Sequence, residues 1–138
     1  MTQTYCTRDD LEAIWPPAEL LASVDDDTSG TLSATEESYL TRGIERAANL
    51  MNARLETRYV LTSLATNAWC RDANAAIAAF LLATRRGDPA PAHLQQQYDT
   101  YLADLGQIAS GHLKVPGAAE SHDAGPGVVN FAIQIGEP

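Results

Sequence analysis

One segment of the chain carries residue types spaced for metal chemistry, the run from Asp25 to Glu36. Acidic side chains stand at its first, third and twelfth positions, and Gly30 stands at the sixth. This is the ligand order of a calcium-binding loop, in which the glycine permits a sharp turn. Ser33 and Glu36 equally fit a capping box that opens a helix. The preceding helix is short and no second loop pairs with this one, so we predict a tight acidic turn, with a calcium-responsive binding module as the alternative.

The remaining polar residues do not assemble into an active site. His93, His112 and His122 are far apart and lack the spacing of metal ligands. Ser121, His122 and Asp123 have the residue types of a hydrolase triad, but three consecutive residues cannot adopt its geometry. The sequence therefore predicts no enzyme, no metal site and no cofactor.

Composition restricts the partners. A chain of 138 residues suits a single domain. Its net charge of −9 disfavours nonspecific DNA binding, because it repels phosphates. Eight of its nine basic residues are arginine, which favours protein contacts. Cys6 and Cys70 have no metal spacing, and no apolar leader or membrane span is evident, so we expect cytoplasmic synthesis with reduced thiols and no membrane partner.

Helical periodicity predicts a mainly α fold, a small helical bundle with one long central helix. Capping residues, prolines and glycines mark the helix ends. The helices are expected over roughly 8–14, 18–24 and 34–57, from Asn67 or Cys70 to Thr84, and over 91–110.

Three segments do not have a helical pattern. The run from Tyr59 to Leu64 is rich in β-branched, aromatic and aliphatic residues and is predicted to cross the domain as an extended strap. Glycine and proline predict a flexible linker over 115–127, which leaves 1–114 as the helical body. Residues 128–138 then alternate like a strand, and their apolar members are predicted to bind a partner: Val129, Phe131, Ile133 and Ile135.

Four arginines of the long helix form pairs of like charge. Arg42 with Arg46, and Arg54 with Arg58, are neighbours four residues apart and repel each other unless acids meet them. One interpretation is a solvated surface. The other is a contact in which an acidic patch of a neighbouring subunit accepts them.

The order of these elements resembles the Mu-like gp36 (DUF1320) family, small proteins related to phage head-to-tail connectors. The matching segments are Tyr5 to Leu11, Glu19 to Leu21, Asp25 to Gly30, Arg54 to Tyr59, Ile108 to Gly111 and Val115 to Gly117. The chain departs from the family where Val60 to Leu64 follow the tyrosine, since prolines are expected there.

The resemblance implies a structural adaptor in the neck of the virion. It implies a ring of about a dozen copies between the portal protein and the next neck or tail component. DNA would pass through the centre without specific binding. The C-terminal arm suits this role, because a strand can dock on another chain.

Overall fold

The computed structural model describes residues 2–118, which form five α-helices, one short 3-10 helix and no strand. This confirms the mainly α prediction. No helix in this part of the chain is both long and apolar enough to cross a membrane. The elements are α1 (Arg8–Ile14), α2 (Pro17–Val24), α3 (Ala34–Leu55), the 3-10 helix (Leu61–Leu64), α4 (Ala68–Ala83) and α5 (Ala92–Ser110).

Local capping determines where the helices begin and end. The Ser33 hydroxyl accepts the N–H of Glu36 at 3.1 Å, and the Glu36 carboxylate accepts the N–H of Ser33 at 3.0 Å. This is the predicted capping box, and it satisfies two groups that the first turn of α3 would otherwise leave unpaired. Helix α5 ends at Gly111, whose φ of 86° lies in the left-handed region where glycine is favoured.

Helix α4 lies at the centre of the bundle and packs against each of the other four α-helices. It is buried on almost every side, and small residues make this possible. Its buried alanines are Ala73, Ala75, Ala76, Ala78 and Ala79. The one polar side chain at its core is Asn74, whose oxygen accepts the N–H of Tyr5 at 2.8 Å and whose amide donates to the Ile44 carbonyl at 3.2 Å. Asn74 therefore joins α4 to the N-terminal segment and to α3.

The predicted extended strap over Tyr59 to Leu64 is wrong for most of its length, because Leu61–Leu64 form a 3-10 helix. No strand among residues 2–118 is present to pair with an extended segment, whose backbone groups would then lack partners. The turn supplies them locally, and the Ser63 N–H donates to the Val60 carbonyl at 3.0 Å.

The folded body extends to the start of the predicted linker. Val115 is buried, and its N–H donates to the hydroxyl of Tyr59 at 2.9 Å. The Pro116 carbonyl accepts from the side-chain amide of Asn67, the N-cap residue of α4, at 2.9 Å. Residues 119–138, with most of the linker and all of the arm, lie outside the described residues.

Candidate protein interaction surfaces

A basic groove lies between the first half of α3 and the end of α4. It has a volume of about 190 Å³. We define the basic groove by its lining residues, which are Tyr39, Arg42, Gly43, Arg46, Leu81, Leu82 and Arg85. Its charged residues are all cationic, and its larger uncharged lining residues are Tyr39, Leu81 and Leu82.

Arg42 and Arg46 are the exposed cations of the basic groove. They lie one helical turn apart, and neither forms an ion pair with any residue of the described body. Two like charges at this spacing repel each other slightly. Glu45, between them in sequence, lines a different depression of the surface. The pair is therefore available to carboxylates of another molecule.

The third arginine of the basic groove is held by the fold. Arg85 donates to Asp26 at 2.6 Å and lies over the ring of Tyr39, 4.5 Å from its centroid. Arg86 donates to the same carboxylate at 2.9 Å through Nε. The hydrogen bond from Arg85, followed in size by the one from Arg86, lowers the pKa of Asp26. The two guanidinium groups also donate to the Ser23 and Ala22 carbonyls at the end of α2, where a helix favours cations.

Arg54 and Arg58 do not join the basic groove. Arg54 is half-buried and donates to the Leu50 carbonyl of its own helix at 3.0 Å. The guanidinium of Arg58 lies against Gly111 at the end of α5, where a β-carbon on the glycine would lie 2.6 Å from Nη2. The structure thus divides the four predicted subunit contacts into an exposed pair and a pair packed against the protein's own backbone.

A second surface depression lies between the start of α4 and the middle of α5. It is a cleft of about 420 Å³. We define it as the Trp69 cleft, lined by Trp69, His93, Gln96, Gln97, Thr100, Tyr101 and Asp104. Its two aromatic rings meet edge to face with their centroids 5.5 Å apart. Burial raises the pKa of Tyr101, and the charges of Asp72 and Asp104 raise it further, so the cleft has an acidic environment.

In the loop from Asp25 to Glu36, acidic side chains accept hydrogen bonds from the loop's own backbone N–H groups. Oxygens of Asp25, Asp27 and Glu36 lie within 4.8 Å of one another, and such an all-oxygen set suits a hard cation. However, Glu36 accepts the N–H groups of Asp26 and Ser33, at 2.7 and 3.0 Å. Asp25 likewise accepts the N–H groups of two loop residues. These bonds account for the acidic pattern as the predicted tight turn, which connects α2 to α3.

The chain matches a known protein family over most of its length. The model of the family described as Bacteriophage Mu, Gp36 matches residues 5–131. The chain belongs to this family. No curated protein and no solved structure showed a match. Membership confirms the resemblance and makes this Gp36-family chain a structural phage protein associated with the virion, whereas the calcium-responsive module is not favoured.

The other predicted polar residues of the Gp36-family chain lie apart from one another. His93 lines the Trp69 cleft, and His112 lies 2.7 Å from the Ser110 hydroxyl. His122, its two sequence neighbours and the apolar residues of the arm lie beyond the described body. The Trp69 cleft and the pairing of Asp26 with two arginines were not predicted. For the pairing of Asp26, the sequence did offer a signal, which is the two adjacent arginines 85 and 86 at the end of a helix.

Proposed function

We propose that this protein is a head-tail connector, an adaptor that assembles as a ring in the neck of a tailed phage. The ring would lie between the portal protein and the downstream neck or tail component, where it would extend the DNA channel. Membership of the Gp36 family supports the phage context. The observation that carries the proposal is a basic surface on an acidic protein, in which Arg42 and Arg46 have no ion pair with the described residues.

Charge complementarity between copies supports the ring. The chain has a net charge of −9, because its acidic residues outnumber its basic residues by two to one. Arg42 and Arg46 are exposed in the basic groove without an ion pair to the described residues. A like-charged pair costs a few tenths of a kcal/mol in an isolated helix, and carboxylates of another subunit would remove that cost. An adaptor ring supplies such carboxylates at every contact.

The acidic character of the chain also suits a DNA channel. DNA carries a dense row of negative charge, and a lumen of the same sign lets it slide without adhering. The mechanism is mechanical, since the ring would convert the portal surface into a platform for tail attachment and help to retain packaged DNA. No bond is made or broken in this role.

The C-terminal residues complete the proposal. The arm at 128–138 would dock on the portal or on the next neck protein as an added strand, with Val129, Phe131, Ile133 and Ile135 supplying alternate side chains. The described body ends close to Asn67, whose side-chain amide donates to the Pro116 carbonyl.

The test is the mass in solution by light scattering, alone and with portal protein. We expect a ring, formed either alone or on the portal. A chain truncated after Ala118 keeps the bond between Asn67 and Pro116 but lacks the arm. We expect it to lose portal-dependent assembly while its thermal unfolding is unchanged. A full-length chain that remains monomeric with and without portal would refute the proposal.

A further inference from the structure

The Trp69 cleft has the chemistry of a guanidinium acceptor. Arginine binds where a carboxylate pairs with its charge and an aromatic face stacks on its plane. The cleft offers both, in Asp104 and in the pair formed by Trp69 and Tyr101. The amide oxygens of Gln96 and Gln97 add acceptors at the wall. The same chain carries two exposed arginines without ion pairs in the described body, in the basic groove.

The two surfaces cannot meet within one copy. Trp69 lies in the first turn of α4 and Leu82 in its last, so the cleft and the groove lie at opposite ends of this helix. Thirteen residues of helix separate them by roughly 20 Å. A contact between them must therefore join different copies. Because the two patches differ, it is head-to-tail, and repetition closes a ring when the rotation permits.

We propose that the basic groove of one copy docks on the Trp69 cleft of the next, with Arg46 paired to Asp104 and Arg42 beside it. This rests on the proposed ring and names the surfaces that form it. Arg42 and Arg46 are exposed in the groove, and the cleft is the larger depression, at about 420 Å³ against 190 Å³. The cleft is therefore the surface with room to receive the two guanidinium groups.

Charge reversal tests the pairing. Arg46→Asp and Asp104→Arg should each weaken assembly by on the order of 30-fold or more, because each leaves like charges facing each other. The chain carrying both substitutions keeps the net charge and restores opposite charges, so it should assemble again. Arg8→Asp is the matched control, since Arg8 is exposed and is paired only with Glu12 and Glu37 in the described body. It should assemble like the parent, and circular dichroism checks the fold of every variant.

Cross-linking tests the contact by the proximity of the two positions. The native Cys6 and Cys70 are buried and burial raises the pKa of each thiol to about 12, so they react slowly. A chain with Arg46→Cys and Asp104→Cys should form a ladder of covalent multimers with a short thiol cross-linker. The matched chain with Arg8→Cys in place of Arg46→Cys should not.

The outcomes separate this inference from the connector proposal. If Arg46→Asp assembles like the parent, or if the double reversal fails to recover, the pairing is wrong while the ring stands. If Asp104→Arg loses only binding to portal, the cleft receives the portal instead. A parent chain that never assembles, even on portal, refutes the connector and this interface together.

Discussion

Two glycines in helix interiors offer a matched test of the packing between α3 and α4. Gly43 lies where α3 crosses α4, and a β-carbon there would lie 2.9 Å from Cγ and Cδ2 of Leu82. Gly106 lies in α5, and a β-carbon there would meet nothing within 4 Å. Replacing either glycine with alanine removes the same unfavourable helix propensity of glycine. The two variants therefore differ only in the steric contacts of the new β-carbon.

The magnitudes follow from these distances. Gly106→Ala should stabilise the protein by about 1 kcal/mol, the difference in helix propensity. Gly43→Ala gains the same amount but overpacks a buried leucine, which costs roughly 1–3 kcal/mol. Leu82 is almost fully buried and has little room to move aside. Gly43→Ala should therefore be less stable than Gly106→Ala by about 1–3 kcal/mol.

Thermal unfolding at equal protein concentration is the assay. For a chain of this length, 1 kcal/mol corresponds to a shift in Tm of about 3–4 °C. Gly106→Ala should raise Tm, and Gly43→Ala should leave it unchanged or lower it. A second substitution, Leu82→Ala, should cost less in the Gly43→Ala chain than in the parent. If Gly43→Ala raises Tm as much as Gly106→Ala, the close approach of the two helices is refuted.

Three further predictions concern buried and titrating groups. Asn74→Ala leaves the buried N–H of Tyr5 without its acceptor and should cost about 2–3 kcal/mol in urea unfolding, whereas exposed Asn49→Ala should cost less than about 0.5 kcal/mol. Acid should destabilise the acidic loop. Hydrogen bonds from backbone N–H groups, first that of Ser33, hold the pKa of Glu36 below its ordinary 4.5. The stability that ionised Glu36 adds to the folded protein is therefore complete above pH 4.5. It is lost as the pH falls through the lower pKa that Glu36 has in the folded protein. Unfolding midpoints measured below pH 4.5 should fall less steeply for Glu36→Gln than for the parent. Both cysteines are buried with the pKa raised to about 12, so a colorimetric thiol reagent at pH 8 should label them slowly in the native protein and rapidly in denaturant, and fast native labelling would contradict that burial.

Much of the local structure could be predicted from sequence because it depends on neighbours along the chain. The capping box of Ser33 and Glu36 joins residues three apart, and Gly111 ends α5 by its own backbone freedom. The same local logic explained the acidic loop as a turn. Segment Tyr59 to Leu64 was the exception, since its residue types favour a strand but no neighbouring strand is present in the described body to pair with it.

The sequence by itself determined the helices, the charge and the family of this protein, because spacing, composition and residue order are properties of the chain. Only the tertiary structure decided which arginines stay exposed. Arg42 and Arg54 each precede another arginine by four residues, yet one faces an open groove and the other bonds to its own helix. Likewise, Asp26 meets Arg86 across 60 residues. Such pairings depend on which faces of the helices meet, and this is decided by the packing of the whole bundle around α4.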